Sequence, residues 1–237
     1  MLKNIFITGG AGYVGSRLIH SLLEKDYNIT SYDLHIYGDH LPEHRNLRKI
    51  KADIRDKEKV KKEIKGADAV IHLACISNDP SFDLDPNLGR SINFEAFPNL
   101  VESARDAKVK RFIMASSTSQ YGVKPAHIRV TEDTEAEPIT DYAKYKLECE
   151  RFMQNNPDAV GDMAHTFVRP STLCGYAPRL RLDLSVNTLT INALQNHKMK
   201  IKGGNQLRPT MNIEDMVRFY ELMLEAPREE IDKQAFN

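Results

Sequence analysis

The chain has 237 residues, with 33 basic and 33 acidic side chains, so its formal net charge is zero. That balance supplies neither the basic footprint of a nucleic-acid binder nor a charged patch for a membrane surface. No apolar run is long enough to span a bilayer, the first residues run into a strand pattern rather than a leader, and the cysteines (Cys75, Cys149, Cys174) are scattered; the expectation is a cytoplasmic protein with reduced thiols and no metal site.

The first predicted element is a run of β-branched and aromatic residues, Ile5-Phe6-Ile7-Thr8, that ends in Gly9-Gly10-Ala11-Gly12-Tyr13-Val14-Gly15. Val14, Leu18, Ile19, Leu22 and Leu23 then fall on one helical face. This is strand, tight turn, helix. Gly9 permits the sharp turn, Gly12 lets a pyrophosphate approach bare backbone, and Gly15 lets the helix pack close to the strand. Any strand-to-helix turn can use glycine, but the first such pair is where a dinucleotide site requires it.

Strand and helix patterns go on alternating. Strands are predicted at 28–33, 47–53, 69–74, 111–116 and 165–169, and helices at 56–65, 87–107 and 141–154. The 69–74 strand is almost wholly apolar, as a parallel strand covered on both faces should be. After Pro170 the pattern changes to a loop (173–183), a helix (184–196), a short strand (199–202), a turn (203–209) and an amphipathic helix (213–224). The expected architecture is an α/β doubly wound parallel sheet. A dinucleotide-binding domain would cover residues 1–170. Residues 171–237 would form a partial substrate-binding region with a returning helix, laid over the carboxyl end of the sheet.

Several residues carry chemistry. Asp33 closes the second strand, where a carboxylate accepts hydrogen bonds from an adenosine ribose and repels a 2′-phosphate, so NAD is expected over NADP. Asp53 and Ile54, at the end of the third strand, are placed to meet the adenine. Tyr142 and Lys146 are four residues apart on one helix and therefore share a face. An ammonium beside a phenol lowers the phenol's pKa toward the range of a usable acid or base. Such pairs also arise by chance on many helices. Ser117, just past the fifth strand, adds a hydroxyl at the same sheet edge for a substrate oxygen. His72 reads as a core histidine or a cofactor-side contact, and Cys75 as packing beside the nicotinamide position. Residues 77–82 read either as a loop touching substrate through Ser77 and Asn78 or as a solvated loop.

Thr8-Gly9-Gly10-Ala11-Gly12-Tyr13-Val14-Gly15, Asp53-Ile54-Arg55, His72-Leu73-Ala74, Ser116-Ser117 before Tyr121-Gly122, Tyr142-Ala143-Lys144-Tyr145-Lys146 and Arg169-Pro170 follow one another in order along the chain. Together they resemble the extended short-chain dehydrogenases/reductases, in particular the NAD-dependent epimerase/dehydratase group that works on nucleotide sugars. The resemblance implies a Rossmann-type sheet with a small, shortened C-terminal substrate-binding region. It makes Ser117, Tyr142 and Lys146 the catalytic set, with Lys146 also touching the nicotinamide ribose. Cofactor contacts would fall to Gly9, Gly12, Tyr13, Val14, Gly15, Asp33, Asp53, Ile54, Leu73, Ala74, Cys75, Asn93 and Pro170, Asn93 matching the family's structural asparagine. Ser77, Asn78 and Thr118 would face the substrate, and Arg208 resembles the arginine that holds the sugar nucleotide's diphosphate. The helices at 87–107 and 141–154 resemble a pair that meets across a two-fold axis, which implies a homodimer; Phe97, Leu100 and Val101 would supply its core or else face the sheet.

Two departures qualify the resemblance. The 4,6-dehydratases of this group carry an Asp-Glu pair where this chain has Thr118-Ser119, and the glucuronate decarboxylases place a glutamate at the position of Ser119. Neither hydroxyl can serve as the acid or base that removes water. An epimerase working through a transient keto-sugar is expected, with a one-way keto-sugar reductase or a catalytically lapsed dinucleotide-binding protein as alternatives. The second departure is length: relatives continue past residues 234–237, which read as the start of a further strand.

Overall fold

The computed structural model describes residues 2–77, 84–201 and 203–237. Its strands are β1 (Asn4–Thr8), β2 (Asn28–Asp33), β3 (Leu47–Lys51), β4 (Ala69–His72), β5 (Arg111–Ala115), β6 (Ala164–Val168), β7 (Thr172–Cys174), β8 (Thr210–Asn212) and β9 (Gln234–Phe236). The helices are α1 (Tyr13–Glu24), α2 (Lys57–Glu63), α3 (Pro86–Arg90), α4 (Phe97–Asp106), α5 (Asp141–Asn155), α6 (Pro157–Val160), α7 (Ser185–Asn196), α8 (Ile213–Glu225) and α9 (Arg228–Ile231). Seven parallel strands form one sheet in the order β3-β2-β1-β4-β5-β6-β9, and β7 pairs with β8 in a second, two-stranded sheet.

Alternation along the strands sorts the core into two layers. Ile5, Ile7, Ile29, Ile71 and Ile113 join the layer of α1 and α8, while Phe6, Tyr32, Val70 and Phe112 join that of α2, α4 and α5. Each such side chain contributes about 1.5–3 kcal/mol on full burial, so a one-residue slip of register would be prohibitive. The chain lays β2 and then β3 on one side of β1 and returns to place β4 on the other. That reversal opens a crevice at the carboxyl ends of β1 and β4, the position where open α/β sheets bind their ligands.

The doubly wound parallel sheet is as expected, and four local differences have physical causes. The 87–107 helix is divided into α3, a π-helical turn (Ser91–Glu95) and α4. Pro98 lies in the first turn of α4, where its missing N–H and its ring interrupt the bonding ladder coming from α3. No strand forms over 199–201, where Met199 and Ile201 are more than 60% exposed; Lys202 lies outside the described residues. The strand of that region is instead β8, which pairs with β7 inside the segment predicted as loop. Phe97, Leu100 and Val101 are all buried against the sheet, so they cannot form the core of an interface.

Many of the residues after 170 return to the sheet and to α1. α8 packs on α1, where Glu214 takes a two-pronged contact from Arg17 at 2.6 and 2.7 Å and Glu221 accepts from Lys25 at 2.7 Å. Arg111 donates to the carbonyls of Met223, Leu224 and Ala226 at 2.7–2.9 Å, closing the C-terminus of α8. β9 then adds to β6, with Val168 opposite Phe236. Among the described residues no helix is long and apolar enough to cross a membrane.

Candidate active site

The glycine turn is as tight as its sequence suggests. Gly9 has φ +74°, and a Cβ there would lie 2.6 Å from the backbone nitrogen of Ala74. A Cβ on Gly15 would lie 2.4 Å from the Gly9 carbonyl oxygen. Gly12 caps α1 with no side-chain hydrogen bond, so the helix N-terminus faces the crevice with bare backbone. An anion of diphosphate size fits such a terminus, and a side chain on the turn would obstruct it. The Val14 side chain, one residue further, is half-buried against the core.

The neighbouring strand ends complete a cradle. The Asp33 carboxylate accepts from the backbone N–H of Ala11 at 3.0 Å and of His35 at 2.7 Å, which ties the glycine turn to the end of β2. Tyr32 donates to the Asp53 carbonyl at 2.8 Å, and Ile54 is buried. The Asp53 carboxylate is held by the Arg55 guanidinium at 2.5 Å, which lowers its pKa. Beyond β4, Leu73 donates its N–H to the Thr8 carbonyl at 2.9 Å, and Ala74 donates to the Thr8 hydroxyl. That hydroxyl also meets His72 Nδ1 at 2.7 Å. Burial, and after it the charge of Lys146, pushes the imidazole down to about 3, so His72 is a neutral core residue. No group of three or more His, Cys, Asp or Glu side chains is placed to hold a metal among the described residues.

Asn93, on the π-helical turn, clamps the chain beyond β4. Its Oδ1 accepts from the N–H of Ile76 at 2.8 Å and its Nδ2 donates to the Ile76 carbonyl at 2.9 Å. This fixes Cys75 and Ser77 on either side, and Ser77 in turn accepts from Arg181 Nη1 at 2.8 Å. Asn78 lies outside the described residues.

α5 supplies the reactive face. Thr140 caps it by accepting from the Ala143 N–H, which starts the helix one residue ahead of Tyr142. Lys146 is buried, donates to the Ala115 carbonyl at 2.6 Å and lies 5.8 Å from the centre of the Tyr142 ring. Ser117 faces the Tyr142 phenol closely enough to lower its pKa, while its hydroxyl donates to Ser119 Oγ at 3.0 Å. Burial raises the Tyr142 pKa; Lys146, Ser117 and Arg181 pull it down, while Cys75 adds to the rise. The lysine therefore acts in the expected direction, but burial outweighs it, and the phenol is not brought toward neutrality as the sequence suggested. Burial pulls Lys146 down too, yet Cys75 and Tyr142 more than offset it, so the ammonium stays charged.

Ser117 also accepts from the N–H of Ser119 at 3.1 Å, and Thr118 donates to the Pro170 carbonyl at 3.1 Å, bringing the ends of β5 and β6 together. Arg208 is exposed in the segment before β8, and no contact among the described residues ties it to this cluster.

Sequence reasoning missed two sets of contacts. The first is a buried network one turn beyond Lys146: Glu150 receives Ser116, Gln120 at 3.0 Å and Arg169 at 2.6 Å. Its signal was the continued four-residue spacing from Tyr142 through Lys146. The second lies over the first turn of α1. Tyr13 donates to the Gly175 carbonyl at 2.7 Å, and Asn187 donates to Tyr13 and to the Arg181 carbonyl. Nothing in the local sequence marks that long-range contact.

Comparison with known proteins gives a consistent picture. A profile of the family described as NAD dependent epimerase/dehydratase matches residues 5–237. The UDP-glucose 4-epimerase of Lactobacillus helveticus is 25% identical over 250 aligned residues, covering 98% of this chain and 75% of that protein. The structure of a UDP-N-acetylglucosamine 4-epimerase from Methanobrevibacter ruminantium, in complex with UDP-N-acetylmuramic acid, superposes with a TM-score of 0.88 at 25% identity, over 99% of this chain and 76% of its own. A dTDP-glucose 4,6-dehydratase from Streptomyces venezuelae, solved with NAD, shares the fold at a TM-score of 0.86 and 22% identity, over 98% of this chain and 74% of its own.

Proposed function

Because the chain belongs to the NAD-dependent epimerase/dehydratase family, we propose that it epimerises a nucleotide-activated sugar through a transient keto-sugar. The observation that carries this reading is the Tyr142 ring with the Lys146 ammonium 5.8 Å from its centre and the Ser117 hydroxyl close enough to lower the phenol's pKa, at the same sheet edge as the glycine turn. The bare turn at Gly9, Gly12 and Gly15 and the fixed Asp33 carboxylate suit NAD, which would supply a hydride acceptor that later returns the hydride.

Tyr142 takes the proton from the sugar hydroxyl while that carbon is oxidised. This needs the phenolate, which burial opposes in the unliganded chain and which the positive charge of a bound oxidised cofactor, added to that of Lys146, would favour. Ser117 holds the same oxygen and directs it at the phenol. Lys146 favours the phenolate by its charge and would also donate to a ribose hydroxyl of the cofactor. After the keto-sugar turns, or loses and regains a neighbouring proton, Tyr142 gives its proton back. Ser77, Thr118 and Arg208 are assigned to the sugar nucleotide. Thr118 and Ser119 offer hydroxyls rather than carboxylates beside Ser117, which favours epimerisation over loss of water.

The test is Tyr142→Phe against a panel of sugar nucleotides. NAD binding should survive and turnover should fall by a factor on the order of a hundred or more. Turnover at the wild-type rate would overturn the assignment, and net consumption of reduced cofactor would identify a one-way reductase.

A further inference from the structure

A second cation reaches the dinucleotide cleft from outside the glycine turn. The Arg179 backbone N–H donates to Ser16 Oγ at 3.2 Å, which seats residue 179 over the first turn of α1. Its guanidinium lies 3.9 Å from the centre of the Tyr37 ring, on the loop that follows Asp33. Residue 179 therefore reaches from the first turn of α1 to the loop that follows β2. In this fold the diphosphate and adenosine ribose run along that line.

Both ends of the span are anchored. The Tyr37 carbonyl accepts from His40 at 2.8 Å, Leu41 beyond it is buried, and Lys49 binds Asp39, Glu43 and the Leu41 carbonyl. On the other side, Tyr13 and Asn187 hold the 175–187 segment against α1. Tyr37 itself is 63% exposed, so core packing does not account for its ring being there. Among the described residues no carboxylate lies within ion-pair distance of Arg179; Asp183, whose pKa the Arg179 charge helps to lower, is bonded by Arg181 at 2.5 Å. A guanidinium held over an aromatic face by its carbon can still direct N–H groups at an anion.

We propose that Arg179 and Tyr37 form a clasp over the bound dinucleotide, with Arg179 contacting the diphosphate and Tyr37 holding the guanidinium in place. This rests on the reading of the glycine turn as an NAD site. A clasp of this kind slows cofactor release, which suits a reaction that removes a hydride and returns it to the same substrate.

The test follows NADH binding and release by fluorescence in the wild type, Arg179→Gln, Arg179→Lys and Tyr37→Ala, with ADP, adenosine and UDP as competitors. Arg179→Gln should raise the NADH dissociation constant and release rate about tenfold, the scale of one lost charge-assisted hydrogen bond. ADP should weaken by the same factor and adenosine should not. Arg179→Lys should recover part of the loss, and Tyr37→Ala should show a smaller loss with an unchanged melting temperature of the unliganded protein. Release rates equal to wild type in Arg179→Gln would overturn the clasp, as would a variant that loses UDP affinity while keeping NADH. A wild type that binds neither NADH nor ADP would overturn the NAD site itself, and the clasp with it.

Discussion

With Ala11 and His35 both donating to its oxygens, the Asp33 carboxylate sits fixed beside the glycine turn and presents its charge to whatever ribose enters. A 2′-phosphate there meets a carboxylate that cannot swing away. NAD should bind more tightly than NADP, and Asp33→Ala should narrow the gap about tenfold, by losing ribose contacts and removing the repulsion together. Titration of wild type and variant with both cofactors checks this; a wild-type preference for NADP would refute it. His72 makes a prediction of another kind. Its folded pKa of about 3 lies below the ordinary value of 6.5, so the unfolded chain takes up a proton first as pH falls. The stability involved is present above pH 6.5 and is lost as pH drops toward 3, on the order of 4–5 kcal/mol in full. His72→Asn should cost stability at neutral pH, since the ring packs on Phe97 and Phe112, but should lose less between pH 7.5 and 5. Urea unfolding of both proteins at the two pH values decides it, and identical losses would show that His72 is not the group responsible.

At the scale of elements, α5 presents Tyr142, Lys146 and Glu150 at successive four-residue steps, the first two proposed for chemistry and the third for anchorage. Glu150 binds Ser116, next to Ser117, and Arg169, next to Pro170, so one carboxylate holds three chain segments in register. Glu150→Ala leaves the Arg169 charge buried without its partner and should cost about 3–5 kcal/mol, whereas Glu150→Gln should cost less by keeping the hydrogen bonds. Denaturant unfolding measures the difference, and a loss below about 1 kcal/mol for Glu150→Ala would deny the network its role. The elements also show what could be read in advance. β2 was legible to the residue because alternation and a terminal acid mark it, and Tyr142 and Lys146 because both sit within one helical turn. The π-helical turn escaped because Pro98 acts on bonds rather than on the apolar pattern. β7 and β8 escaped because three-residue strands carry no period, and their pairing joins residues 172 and 210. The Arg179–Tyr37 contact is of the same kind, set by the return of the chain over α1 rather than by anything local.

For the molecule as a whole, the inward turn of Phe97, Leu100 and Val101 changes where a partner would sit rather than whether one is expected. On the α4–α5 side the half-buried aromatic residues are Phe94, Tyr145 and Phe152. Phe94 and Tyr145 stack at 6.2 Å with their planes 13° apart, and Phe152 meets the edge of buried Phe97 at 6.1 Å. Aromatic surface of this kind is stabilised by being covered. We propose that two copies of the chain meet through this face, with α4 and α5 of each forming the contact. Such an interface would also brace α5 and hence Tyr142 and Lys146, which links assembly to chemistry. Light scattering at micromolar concentration should give twice the chain mass. Phe94→Glu should give the single-chain mass, by placing a charge where two aromatic surfaces would meet, and the far-ultraviolet circular dichroism should stay that of a folded α/β protein. A wild type that runs strictly as a monomer would rule the dimer out. If Phe94→Glu stayed dimeric and folded, the two copies would have to meet through some other face, and α5 would be braced by the sheet and the Glu150 network alone.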